Sequence, residues 1–348
     1  MKNEKMSALD GLRAIACILV IISHIPSHLS QASSLFVFNF SLGSPGVAIF
    51  FCLSGFLMAK LYSELDPSYH NVKKYLLSRF IRILPAYTIV ILVSYFVVKL
   101  FDSNFIFQIT DHNLARHLLL IGSEAVFWSI PPEVQFYIFF VFIWVAIKRS
   151  SIPLRVTLVT SVVVMMLTRD MWPGILLPSK LHFFLLGAFA GFLRNKEQIN
   201  DLVNKHIYKL QITSLLLIGL AVSQLPREEH FYTNSLFFIP TTILVYTMSY
   251  SSKISSLLFG NNLFSLIGKV SFTIYLTHDI VIYYLNILFN KYQYSGYTTD
   301  ITTLILCILI PTAISIIVEL PLCNFLKKIL ISNCEQKNIE GYKKTTTS

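Results

Sequence analysis

The chain has 348 residues, of which 54% are hydrophobic and only 13% charged, with a formal net charge of +10 and a mean hydropathy of +0.64. An ordinary soluble domain has about a quarter of its residues charged, so this chain cannot cover a soluble surface, and disordered, collagen-like and disulfide-scaffold classes are excluded. The basic excess lies in short loops between apolar runs, where it is a topology signal; no nucleic-acid partner is expected.

A bilayer core about 30 Å thick is crossed by about 20 apolar helical residues. Ten apolar runs approach this length, at 9–26, 43–60, 83–101, 127–147, 155–168, 180–194, 209–225, 234–250, 264–289 and 301–323, the fifth and sixth being the shortest. The expected fold is all-α, a polytopic integral membrane bundle of about ten transmembrane helices. With the N-terminus in the cytoplasm, 22 of the 28 Lys and Arg residues fall on the inner side, which places both termini inside.

The first run follows Lys2 and Lys5 in the manner of a secretory signal. However, it carries Asp10, Arg13 and His24 and lacks a small-residue cleavage site, so it reads as a retained helix. No internal repeat of the transporter kind is present. Residues 1–331 are expected to form one transmembrane domain, and the polar, Lys-rich stretch 332–348 a disordered cytoplasmic tail. Cys17, Cys52, Cys307 and Cys323 lie in apolar runs and Cys334 in the tail, without metal-ligand spacing, so neither disulfide nor metal site is expected. No nucleophile elbow, Walker loop, HExxH or dinucleotide fingerprint occurs.

Ionisable residues inside a membrane point to function. In the first run Arg13 and His24 are eleven residues apart, close to three helical turns, so they share a face about 16 Å apart along the axis. Taken alone, Arg13 also reads as a snorkelling anchor and His24 as an interhelical hydrogen-bonding group. In KKYLLSRFIRILPAY (73–87), Arg79 and Arg82 share a helix face and form a candidate anion clamp, or else ordinary positive-inside charge. The fourth run opens WSIPPEVQFYIFF. There Pro131 and Pro132 start a helix and Glu133 lies in its first turn, at a depth matched to His24, making the two a candidate acid/base pair.

Secondary candidates are Asp10, Tyr275, His278 and Asp279 in KVSFTIYLTHDIVIYY, and Glu319, which also reads as the partner of a cytoplasmic cation. His182 reads as structural, and Gly43, Gly46, Ser54 and Gly55 as residues that allow close helix approach. Trp128 and Trp172 fit an interfacial aromatic belt.

In this order, LDGLRAIACILVIISH (9–24), GVAIFFCLSGFL (46–57), SRFIRILPAY (78–87) and WSIPPEVQFY (128–137) resemble the acyltransferase 3 family of integral membrane acyl-CoA-dependent acyltransferases. FLLGAFAGFL (184–193), GKVSFTIYLTH (268–278) and VELP (318–321) agree more weakly. The resemblance implies His24 as catalytic histidine with Arg13 as its motif partner. It also implies Arg79 and Arg82 at the acyl-donor site and Glu133 as the fourth-span carboxylate. The sequence departs from many relatives at Asp279-Ile280, and the periplasmic esterase-like domain that some relatives carry after the membrane part is not expected within these 348 residues.

The implied activity is transfer of acetyl from cytoplasmic acetyl-CoA to a sugar hydroxyl of a bacterial surface polysaccharide, either lipopolysaccharide O-antigen, exopolysaccharide or peptidoglycan. The implied location is the bacterial inner membrane. Implied partners are the lipid bilayer, a surface or undecaprenyl-linked glycan acceptor, and a separate periplasmic protein if one completes transfer. An acyltransferase acting on a small metabolite or lipid, and a membrane transporter or exporter, are the alternatives that use the same intramembrane residues.

Overall fold

The computed structural model describes residues 7–25, 42–149, 152–224 and 235–331; the tail at 332–348, with Cys334, lies outside these, as do Lys2 and Lys5. Among the described residues there are helices and no strands. Each apolar run corresponds to one apolar helix. These are α1 (Ser7–His24), α2 (Gly43–Tyr62), α3 (Tyr69–Leu100), α4 (Ile130–Lys148), α5 (Ile152–Leu167), α6 (Leu181–Arg194), α7 (Ile207–Gln224), α8 (Ser235–Met248), α9 (Asn262–Lys291) and α10 (Tyr297–Ile314).

Among the described residues, six segments are long and apolar enough to cross a bilayer: α1, α2, α3, α4 with the turn before it (Ala125–Lys148), α9, and α10 with its continuation (Tyr297–Leu330). The shorter apolar helices are α5 to α8. The 14 residues of α6 rise only about 21 Å, less than the bilayer core. Among the described residues, six of the ten expected spans are therefore long helices and the other four are short apolar ones.

Local chemistry sets the helix ends. Ser68 Oγ accepts the Asn71 amide at 3.3 Å to start α3, and Asn261 Oδ1 accepts that of Phe264 at 2.8 Å to start α9. Pro131 and Pro132 occupy the first turn of α4, where no backbone bond is lost. α10 passes through a π-helical turn, Ser315–Glu319, into Leu320–Leu330. In that turn Glu319 is buried and accepts hydrogen bonds from Ser315 and, across to α9, from Thr273. Hydroxyls therefore hold this carboxylate, in place of the expected cytoplasmic cation.

α1 lies between α2 and α9, backbone against backbone. A Cβ on Gly46 would strike the Ala16 carbonyl, and one on Gly268 the Asp10 carbonyl. α2 and α6 interlock in the same way, Gly55 against the Phe184 carbonyl and Gly187 against that of Cys52. Phe184 stacks on Phe136 of α4 at 4.4 Å, whereas α5 buries no residue and lies outermost. Cys17, Cys52, Cys307 and Cys323 are buried free thiols.

Gly268→Val forces α1 and α9 apart. Overpacking of this kind costs about 1–3 kcal/mol or more, and a lower melting temperature is expected by scanning fluorimetry of the purified protein. An unchanged melting temperature would show that the contact tolerates a side chain.

Candidate active site

Two cavities adjoin along α1. The first has about 530 Å³ of empty volume and is lined by Arg13 (α1), Val47, Phe50, Phe51 and Ser54 (α2), Arg82 and Ile83 (α3), Ser129, Ile130 and Glu133 (the start of α4), and Ser271, Phe272 and Tyr275 (α9). The second, of about 700 Å³, is lined by Val20, Ser23 and His24 (α1), Gly43, Ser44 and Val47 (α2), Ala125, Val126 and Trp128, and Tyr275. Val47 and Tyr275 belong to both walls. The helical spacing of Arg13 and His24 thus places one residue in each cavity on a common face.

The arginine cavity carries a net positive charge. Arg13 is nearly buried, with Nη1 3.7 Å from Asp10 Oδ1 one turn earlier, so Asp10 orients Arg13. Arg82, Arg79 and Glu133 all lie within electrostatic reach of Arg13. Arg79 is buried one turn from Arg82, its guanidinium 5.5 Å from the centre of the Tyr62 ring and its Nε without a hydrogen-bond partner among the described residues. Glu133 Oε1 accepts from Ser54 Oγ at 2.9 Å and Tyr137 OH at 2.8 Å. Three guanidiniums against Glu133 and Asp10 leave a net positive site with unused donors, suited to an anionic ligand.

The pairing of Glu133 with His24 expected from matched depth is not formed: Glu133 belongs to the arginine cavity. The cause is the 3-10 turn Ala125–Ser129 ahead of α4. Its residues Ala125, Val126 and Trp128 reach the His24 cavity, whereas Ser129, Ile130 and Glu133, which follow, line the arginine cavity. Gln135 turns away from both cavities, accepting the Leu177 amide at 2.7 Å.

His24 has a different partner. Its ring lies 5.0 Å, edge to face, from that of His278 on α9, and His278 Nε2 is 3.3 Å from Asp279 Oδ1. His24 Nδ1 donates to the Val20 carbonyl at 2.8 Å, which leaves Nε2 without a proton in the neutral ring. His278 is fully buried and its Nδ1 donates to the Tyr275 carbonyl at 2.8 Å. Tyr275 OH accepts from Ser129 Oγ at 2.8 Å and donates to the Val126 carbonyl at 3.0 Å, so its ring is fixed at the junction of the cavities.

Of the sequence candidates, the structure therefore gathers Arg13, Arg82 and Glu133 in one cavity, with Asp10 and Arg79 against them. It gathers His24 with His278 and Asp279 at the other, Tyr275 at the junction, and leaves Glu319 at the α9–α10 contact. Sequence reasoning treated Ser54 as packing and missed Ser129. Neither serine stands out among the small residues around it, and only the fold shows what they face. Trp128, read as a belt residue, forms part of the His24 wall, whereas Trp172 is exposed.

A sequence profile described as an acyltransferase domain, that of the acyltransferase 3 family, matches residues 6–320. The chain is 28% identical over 154 residues to the O-acetyl transferase of Shigella phage Sf6, covering 39% of this chain and 45% of that protein. It is 24% identical over 324 residues to a candidate O-acetyltransferase of Staphylococcus aureus (strain MSSA476), covering 81% and 51%. It is 25% identical over 321 residues to the peptidoglycan O-acetyltransferase OatA of Listeria monocytogenes, covering 80% and 50%. The chain thus spans about half the length of the curated relatives it matches. No solved structure gives a significant match. The extent of the profile match, together with the arginine and histidine cavities on one apolar helical bundle, shows that the chain is a multi-pass membrane protein belonging to the acyltransferase 3 family.

Proposed function

We propose that the protein is a membrane O-acetyltransferase of the bacterial inner membrane that moves acetyl from cytoplasmic acetyl-CoA to a sugar hydroxyl of a surface glycan. The observation that carries this reading is the pair of adjoining cavities, cationic around Arg13 and Arg82 and histidine-lined around His24, with Val47 and Tyr275 shared between them. In this reading both termini and the Arg13 end of α1 face the cytoplasm. The short helices α5 to α8 complete a ten-helix domain with the six long ones.

The arginine cavity fits the donor. Arg13 and Arg82 line it and offer charge-assisted and bidentate bonds to phosphate, while the buried Arg79 adds its charge from within electrostatic reach of Arg13. Glu133, held by Ser54 and Tyr137, adds a fixed negative charge to the same wall, within electrostatic reach of Arg13. The axial rise of about 16 Å from Arg13 to His24 is of the order of an extended pantetheine arm, so phosphates at the arginines present the thioester near Tyr275.

At His24, the Val20 carbonyl fixes the tautomer and leaves Nε2 to take the acceptor hydroxyl proton. The hydroxyl oxygen bonds to the acetyl carbonyl carbon, the carbon–sulfur bond breaks, and the proton held on His24 passes to the departing thiolate. The glycan reading draws on the relatives, whose names include a peptidoglycan O-acetyltransferase, and on Trp128 in the His24 wall, an aromatic face on which a sugar ring stacks.

Labelled acetyl-CoA supplied to inside-out membrane vesicles together with the host glycan is the direct test. Label recovered on glycan hydroxyls is expected. Label recovered only on lipid or on a small soluble hydroxyl compound would replace the acceptor, and coupled glycan uptake with no label transferred would replace the enzyme by a transporter.

A further inference from the structure

We propose that His24, His278 and Asp279 form a binding site for a zinc-class divalent cation, and that its occupation stops acyl transfer by engaging His24. Among the described residues these are the one group of three potential ligating side chains whose donor atoms lie close together, each within 4.8 Å of the others.

The tautomers make the case. Each histidine donates its Nδ1 hydrogen to a backbone carbonyl of its own helix, His24 to Val20 and His278 to Tyr275, the arrangement that orients metal-ligating imidazoles. Both Nε2 atoms are then lone-pair donors. His278 Nε2 is buried with no hydrogen-bond partner, yet lies 3.3 Å from Asp279 Oδ1. A lone pair facing a carboxylate is repulsive unless a positive charge joins the two.

The spacing fits that charge being a metal. Zinc holds N and O ligands at about 2.0–2.1 Å in a tetrahedron, which sets neighbouring ligands about 3.3–3.4 Å apart. His278 and Asp279 already have that separation. His24 is the most exposed of the three, and its donor atom, within 4.8 Å of the other two, closes the remaining gap by a small tilt of the ring that keeps the Val20 bond. A fourth position opens on the His24 cavity, as in sites with three protein ligands and one water. Imidazole with carboxylate, without thiolate, favours zinc over softer ions.

The binding half of the proposal stands on this geometry. The blocking half rests on the reading of His24 as the base, because a coordinated Nε2 has no lone pair left to take a proton.

The 348-residue chain, purified and stripped with a chelator, is titrated with Co²⁺ and followed by its visible d–d bands, then with Zn²⁺ and metal analysis after desalting. One metal per chain with tetrahedral cobalt bands is expected. Asp279→Asn, nearly isosteric, and His278→Gln each weaken binding about tenfold or more. Absence of the bands in wild type, or equal affinity in wild type and both variants, overturns the site and leaves a shared proton as the joining charge. Zinc is then added during acetyl transfer by wild type, and inhibition with the same midpoint as binding is expected. Binding without inhibition overturns the blocking half and counts against His24 as the base. His24-dependent transfer in a protein that binds no metal overturns the metal site alone.

Discussion

His24→Ala is expected to lower acetyl transfer by about 10²–10⁴-fold, the usual contribution of a positioned acid–base side chain. Protein level and membrane insertion should be unaffected. The imidazole is bound within its own helical turn, through Val20 and Ser23, and sits at a cavity wall, so its removal leaves the bundle packed. The measurement is the mass of surface polysaccharide from cells producing wild type or variant. An acetyl increment in the wild type alone is expected, whereas the same increment from both would remove His24 from the chemistry. Absence in both would return attention to the acceptor.

Arg82→Ala carries the second large effect, of a different kind. Hydrogen bonds to charged groups contribute about 1.5–3 kcal/mol each, so the KM for acetyl-CoA is expected to rise about 10- to 100-fold, with a smaller change in kcat. Arg82→Lys recovers only part of this, since an ammonium lacks the planar fork that grips phosphate. Arg13→Ala moves KM in the same direction and also strands Asp10, its partner at 3.7 Å. Initial rates against acetyl-CoA concentration in inside-out vesicles give both constants. A variant at position 82 with wild-type KM would show that the donor binds elsewhere.

Much of this architecture is legible in the residues alone. Apolar run length and the scarcity of charge identify an all-helical membrane bundle, and ten runs mark ten apolar helices, because both depend on local composition. The common face of Arg13 and His24 follows from helical periodicity. The number of helices able to span is less legible: the run at 180–194 is short in the sequence, as is the 14-residue α6, yet it is as apolar as a spanning helix, so composition does not separate the two.

The partners of Glu133 and His24 were hidden for a related reason. A 3-10 turn begins at Ala125, whose φ of +42° is rare for a residue with a side chain, and hydropathy carries no trace of it. That turn displaces Glu133 toward the arginines. The approach of His278 and Asp279 to His24 depends on how closely α9 crosses α1, which Gly268 permits but does not announce. Ordered motifs thus named the residues, whereas backbone geometry decided which of them meet.

The junction at Val47 and Tyr275 bears on a problem of permeability. A protein that carried a whole nucleotide thioester or a sugar polymer through the bilayer would need a wide passage, with a gate at each end to hold ion gradients. Here Tyr275 is fixed by Ser129 and Val126, and it and Val47 line both cavities. With the bulk of each substrate kept on its own side, only the thioester end of the donor has to meet the acceptor hydroxyl. The enzyme then has no need of the rocking halves by which carriers work, because an opening at this junction wide enough for the thioester end of the donor is all that turnover asks of the membrane.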